Sequence, residues 1–472
     1  MAAYSPSLVF TVTRKEPELI VPAEPTPHEF KQLSDIDGQE SLRFHVPIIQ
    51  VFPNNNGVQE DPVRVIRKAI AKALVFYYPL AGRIREGPRR KLSVECTGEG
   101  LLFIEAEADV KLDQFSDADL LPPFPCLDQL LYAVPDQSDV LNCPILLIQV
   151  TRLKCGGFIV AIRLNHTMCD GAGISQFLST VGEFARGATQ PFIPPVWDRH
   201  LLTARNPPCV THVHLEFTQI PNDFFPSLST LIQRSFFFRL NELSTLRRQI
   251  LPHLAHHCST LDVLTALLWI CRTIAMSSDL EEEVRIMSLV NIRSRFNPPL
   301  PVGYYGNGIV FPAVVTTARK LTTESMSLEY AVEKVRQVKV KATEAYVKSM
   351  VDLMEVRERR PVFPLRGSLV VSDLTKLQIE EVDYGWGKPV YGGVARGGTA
   401  DIGVVTYYMR FKNREGEEGV VVPMALTKEA MIKFEKELIR RGVAGAIGPH
   451  KINGLRDGDG DGDGGNQMLK LQ

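Results

Sequence analysis

The run Phe158-Ile159-Val160-Ala161-Ile162 constrains this chain more than any other feature. Five consecutive apolar residues leave no polar face, so the segment reads as a strand buried on both sides. His166 stands at its end, and Gly171-Ala172-Gly173 follows before a helix-like stretch over 174–186. A histidine is therefore carried in a strand-to-helix turn, at the rim of a sheet where pockets commonly form.

Helical and extended patterns alternate along the rest of the chain, which predicts a mixed α/β protein. A helix is expected over 61–77: Asp61 caps it, Pro62 opens its first turn, Ile66, Ile70 and Leu74 share one face, and Pro79 stops it. Strands are expected over 101–112 and 145–150. Further helices are expected over 260–272, 328–340 and 427–441, the last ended by Gly442. Between the two alternating halves, residues 189–208 carry Pro191, Pro194, Pro195, Pro207 and Pro208 and show neither periodicity, as a long crossover would.

At 472 residues the chain should hold two or three domains of about 100–200 residues each. The pattern divides it into an N-terminal unit (1–188), a crossover linker (189–222), a C-terminal unit (223–450) and a tail (451–472). In the tail, Asp457, Asp459, Asp461 and Asp463 alternate with glycine like the start of a calcium loop. Its twelfth position is Met468 rather than glutamate and no helix pair flanks it, so a flexible solvated tail is expected.

With 53 basic and 54 acidic residues the formal net charge is -1, and no basic stripe suggests nucleic acid as a partner. No apolar run approaches the ~18 residues of a membrane span, and the first residues build no signal-peptide core. A cytoplasmic monomer is expected. The eight cysteines are scattered without a Cys-x-x-Cys pair, which reads as reduced thiols and predicts neither a zinc site nor a disulfide scaffold. Nor do His253, His256 and His257 have a carboxylate or cysteine at ligand spacing.

Acyl transfer from a thioester to a hydroxyl asks the protein for a base, an oxyanion donor and exclusion of water. A neutral imidazole, with a pKa near ~6.5, can take the alcohol's proton during attack and return it to the departing sulfur. His166 suits both tasks. Asp170 could orient its ring, but the turn can equally aim the carboxylate away; we read Asp170 as structural, paired with Arg293 or Arg295. A serine hydrolase would need Gly-x-Ser-x-Gly, which is absent. A nucleotide enzyme would need a phosphate loop, and Gly303-Tyr304-Tyr305-Gly306-Asn307-Gly308 lacks its lysine and spacing.

The stretch His166-Thr167-Met168-Cys169-Asp170-Gly171, followed far downstream by Asp383-Tyr384-Gly385-Trp386-Gly387, resembles the HxxxD and DFGWG signatures of the plant BAHD acyltransferases in order and spacing. Gly303-Tyr304-Tyr305-Gly306-Asn307 and Asn291-Ile292-Arg293-Ser294-Arg295 resemble two further family segments, and the likeness runs from about residue 6 to 443. It implies an α/β fold of two chloramphenicol-acetyltransferase-like domains with mixed β-sheets and an active-site tunnel at their interface. The implied substrates are an acyl-CoA donor and a small alcohol acceptor. No cofactor or metal is implied, coenzyme A thioester being a co-substrate. Transfer would be direct, with His166 as the base and no acyl-enzyme. Asp383, Gly385, Trp386 and Gly387 would be structural, away from the histidine.

Two departures bear on this. Tyr384 replaces the usual phenylalanine, adding a hydroxyl that needs a partner. Ser372-Asp373-Leu374 stands where many relatives have Thr-Ser-Trp, so the oxyanion donor expected of that threonine falls to Ser372. Two segments, 33–43 and 76–83, look like the branch that makes volatile and benzoyl esters. An N-acyltransferase, a hydroxycinnamoyl-type transferase or a catalytically silent binding homologue of the same fold are the alternatives. An intact His166 speaks against the silent one. A peptide-synthesis condensation domain usually carries two adjacent histidines, and Asn165 occupies the first of those positions here.

Overall fold

In the computed structural model the described residues are 8–134, 140–221, 223–277, 279–323, 327–398 and 404–443. The run 158–162 lies in the strand Phe158–Asn165, inside a sheet ordered Val12–Arg14, Leu101–Ala108, Leu146–Leu153, Phe158–Asn165, His45–Phe52 and Tyr391–Val394. Glu18–Ile20 also pairs with Leu101–Ala108. Leu101–Ala108 and Leu146–Leu153 run parallel, while Phe158–Asn165 is antiparallel to both its neighbours.

Both faces of that strand are covered, for different reasons. Phe158, Val160 and Ile162 pack with the helices Pro62–Phe76 and Gly171–Ala185. Ile159 and Ala161 point the other way, into a layer shared with Tyr407, Met409, Phe411 and Val421. Those four belong to a second mixed sheet, ordered Ile232–Arg239, Glu418–Leu426, Val405–Lys412, Ser368–Asp373, Glu283–Ser288 and Ala313–Thr317. Its far face carries Val420 and Val422 against the helices Thr260–Met276, Ser327–Lys341 and Lys428–Arg440. The order of layers is thus helices, sheet, sheet, helices, and apolar alternation along each central strand explains it.

The helices begin and end where local chemistry dictates. The Asp61 carboxylate accepts the Arg64 amide at 3.2 Å with Pro62 in the first turn, and the Ser259 hydroxyl accepts the Asp262 amide at 3.1 Å. Gly442 follows the last helix at φ +79°, the left-handed conformation that stops it. Among the helices that escape the sequence pattern are Leu240–Arg248 and Glu344–Val356, the second of which buries Val347, Met350, Val351 and Met354 on Ile36 and Leu202.

The chain does not keep its halves apart at 189–222. Tyr391–Val394, from the second half, adds a strand to the first sheet by pairing with His45–Phe52. Within the expected crossover linker, Arg199 is 1% exposed and reaches Asp37 and Met168 of the first half. A break in periodicity marks where regular structure stops; it does not say which layer a segment packs on. The tail 451–472, with its alternating aspartates, lies outside the described residues.

Candidate active site

His166 follows the last residue of Phe158–Asn165, and its backbone is tied down on both sides. Its amide donates to the Phe44 carbonyl at 2.9 Å, and its carbonyl accepts from Asn307 Nδ2 at 2.8 Å. The Phe44 ring lies 5.1 Å from the imidazole, centroid to centroid. Nδ1 is buried without a hydrogen-bond partner, so Nε2 is the nitrogen that opens on the cavity His166 lines. Burial lowers the imidazole's pKa, and the ring's approach to its own backbone, together with the charge of Asp170, only partly opposes that. The ring is therefore held neutral, as a base must be.

Asp170 faces away from that ring and is 2% exposed. Its oxygens accept from Arg293 Nη1 at 2.8 Å, Arg293 Nη2 at 2.9 Å, the Gly308 amide at 2.8 Å and the Gly173 amide at 3.0 Å. Burial would raise its pKa, but Arg293 and the two amides outweigh burial and hold it below the usual value. Asp170 also caps the helix Gly171–Ala185. Of the two candidate arginines the structure places Arg293 on Asp170. Arg295 is exposed at the cavity rim. Gly173 is needed for proximity: a Cβ there would lie 2.1 Å from the Tyr305 carbonyl oxygen.

A second buried ion pair escaped the sequence reading. Arg199 Nη1 donates to Asp37 Oδ2 at 2.7 Å, with the side chains 1% and 0% exposed, and Arg199 Nη2 donates to the Met168 carbonyl at 2.8 Å. The guanidinium stacks 4.4 Å from the Trp197 ring. Asp37 Oδ1 accepts from Asn307 Nδ2 at 2.8 Å and from its amide at 3.1 Å. Asn307 thus bridges this pair to His166. The glycine-flanked Tyr304-Tyr305-Gly306-Asn307 turn was the available signal; nothing local linked it to residues 37 and 199.

The cavity holds about 730 Å³ between the two sheets. Phe44, Val46, Leu164, Phe311, Leu374 and Tyr407 give it apolar walls, and Asp373, Arg295 and Lys376 stand among its polar members. Ser372, 3% exposed on Ser368–Asp373, lines it together with His166. Among the described residues the Ser372 hydroxyl makes no hydrogen bond to protein, and no three His, Cys, Asp or Glu side chains are placed to share a metal ion. Nor is any helix among them long and apolar enough to cross a membrane.

Asp383, Gly385, Trp386 and Gly387 lie outside this cavity. Asp383 Oδ1 accepts the amides of Gly385 at 2.7 Å and Gly387 at 2.9 Å, with both glycines at positive φ, 108° and 88°. That turn delivers Trp386, 5% exposed, edge-on to Phe158 at 5.3 Å. The hydroxyl of Tyr384 finds its partner in Gln50 Oε1 at 2.9 Å.

A sequence profile of the Transferase family matches residues 10–440. Benzyl alcohol O-benzoyltransferase of Nicotiana tabacum is 56% identical over 439 residues, covering 92% of this chain and 94% of the relative. The 13-hydroxylupanine O-tigloyltransferase of Lupinus albus is 51% identical over 444 residues, covering 93% and 96%. Among solved structures, vinorine synthase has a TM-score of 0.70 at 23% identity, over 91% of this chain and 98% of its own, which shows the shared fold. With the signatures on a common scaffold, a profile spanning nearly its whole length and relatives at more than half identity, this chain belongs to the BAHD acyltransferases.

Proposed function

We propose that this enzyme transfers an acyl group from a coenzyme A thioester to a small alcohol, with an aromatic, benzoyl-type donor favoured. The observation that carries this reading is His166: a neutral imidazole opening through Nε2 on an apolar cavity of about 730 Å³. The tobacco relative at 56% identity supports the aromatic choice, as do the walls of Phe44, Phe311 and Tyr407. The eight free cysteines support a reducing, cytoplasmic setting.

In this mechanism Nε2 takes the proton of the acceptor hydroxyl as its oxygen attacks the thioester carbonyl. The tetrahedral oxyanion is stabilised by the Ser372 hydroxyl. Collapse breaks the carbon–sulfur bond, and the imidazolium returns the proton to the departing thiolate. No acyl-enzyme forms, since among the described residues no nucleophilic side chain is paired with His166. The lupin relative favours a second donor, a short branched acyl group on a larger alcohol.

The test is a panel of acyl-CoA donors, acetyl through tigloyl, benzoyl and anthraniloyl, against methanol, benzyl alcohol, hexanol and several amines, with ester or amide detected. Benzoyl-CoA with benzyl alcohol should give the largest kcat/KM; absence of product from every pairing would sink the reading. His166→Ala should lower kcat by roughly 10²-fold or more.

A further inference from the structure

A base at a strand end is only as well placed as the loop that follows the strand. Two bonds of the loop after Phe158–Asn165 are local: the Asn165 side chain accepts the Thr167 amide at 3.2 Å, and the Asn165 carbonyl accepts the Met168 amide at 3.0 Å. The two carbonyls on either side of Thr167 are held from far away in the sequence. That of His166 accepts from Asn307 Nδ2, and that of Met168 accepts from Arg199 Nη2, both at 2.8 Å. Both donors are keyed to one buried carboxylate, because Asp37 accepts from Arg199 Nη1 at 2.7 Å and from Asn307 Nδ2 at 2.8 Å.

Arg199 reaches the loop from the crossover. The Val196 amide donates to the Gly303 carbonyl at 2.8 Å, which lays the crossover on the turn that carries Asn307. The guanidinium stacks 4.4 Å from the Trp197 ring and is backed by Gly306, where a Cβ would lie 2.6 Å from its central carbon. Two hydrogen bonds therefore fix it in its own plane, while a ring and a glycine fix it out of that plane. Arg199 is 1% exposed and is not among the residues that line the cavity. Neutralising Asp37 asks only for a point charge, which a lysine supplies; spanning Asp37 and the Met168 carbonyl together asks for the planar fork of an arginine.

We infer that Arg199 is a positioning residue of this site: by tying the Met168 carbonyl to the buried Asp37, the crossover sets where the catalytic loop, and with it the His166 ring, stands in the cavity. The guanidinium lies outside the cavity, so its influence falls on the alignment of the base with the acceptor hydroxyl and not on binding. Misplacing a catalytic group by about 1 Å lowers a rate by up to ~10²-fold.

This inference rests on His166 being the base, and the test separates the two. Arg199→Lys keeps a charge beside Asp37 and gives up the fork. In the full-length enzyme its kcat should fall ~10-fold by the same factor for every acceptor in the panel, with KM nearly unchanged and the acid limb of kcat/KM unmoved. A loss of stability with full kcat per folded molecule would make the Asp37–Arg199 pair a strut and overturn the inference. A loss carried by KM, or confined to some acceptors, would place the effect in substrate binding and overturn it too. Full activity in His166→Ala would overturn the base itself, whatever Arg199→Lys does. Should Arg199→Lys fail to fold, Asp37→Asn, which keeps the shape and withdraws the charge that holds the guanidinium, is read by the same criteria.

Discussion

Ser349, His214 and Glu216 have the connectivity of a nucleophile, a base and an acid, with His214 Nε2 3.0 Å from Ser349 Oγ and Nδ1 3.0 Å from Glu216. Yet Ser349 is 0% exposed and its hydroxyl accepts the amides of Thr211 and His212, so the trio is a strut. Access and a free lone pair separate His166 from it. Three outcomes follow at this scale. Ser372→Ala should lower kcat ~10²-fold with little change in KM, because an oxyanion donor acts mainly in the transition state. Asp170→Asn should cost about 3 kcal/mol in urea unfolding, since it leaves Arg293 partly buried and uncompensated. If Asp170 acted on the ring, the loss would appear in kcat with stability intact. The third concerns pH. Burial holds the His166 pKa below the ordinary imidazole value of ~6.5, so the base is lost only as pH falls through that lower value. The acid limb of kcat/KM should have its midpoint below ~6.5, and a midpoint above it would contradict a buried base.

Among elements, those with strong local signals were legible. The helices Pro62–Phe76, Thr260–Met276 and Lys428–Arg440 lie within a few residues of expectation, because cap and apolar stripe sit close together in sequence. Glu344–Val356 was missed although Thr343 caps it, since its buried face includes the polar Ser349 and Asp352. Asp352 takes the Arg205 amide and side chain and the Cys209 amide from the crossover, a role no periodicity reveals. The Asp383-to-Gly387 turn was legible as an aromatic plug, and Phe158–Asn165 as a buried strand, but not that the one packs on the other. Trp386→Ala should cost ~3–5 kcal/mol, the usual range for removing a core tryptophan. Because the plug is outside the cavity, kcat per folded molecule should be unchanged; a fall in kcat without loss of stability would move this segment into the catalytic machinery.

Across the whole molecule, the site is assembled from residues 37, 166, 199, 307 and 372, and this is what the sequence could not disclose. The motif histidine and its strand are contiguous; Asp37, Arg199 and Asn307 meet only because the crossover folds back onto the first half. Long-range closure also decides how the protein responds to acid. His45 opens the strand that lies between Phe158–Asn165 and the incoming Tyr391–Val394. Its Nε2 is buried without a partner, and burial, with Arg163 nearby, lowers its pKa to about 4. In the unfolded chain it titrates near ~6.5. Between these values the unfolded chain binds the extra proton, so this site's contribution to stability is complete above ~6.5. It is lost progressively as pH falls towards 4 and is constant below. The loss amounts to about 3 kcal/mol over the window, at ~1.4 kcal/mol per pH unit. His166, also depressed, adds a loss of the same sign, so the contribution of His45 is read as a difference between proteins. Denaturant unfolding of His45→Phe and of the unmodified enzyme, followed from pH 7 to pH 4, should show the variant losing less stability. Parallel curves would mean that the first sheet opens locally enough to hydrate His45 before the protein unfolds.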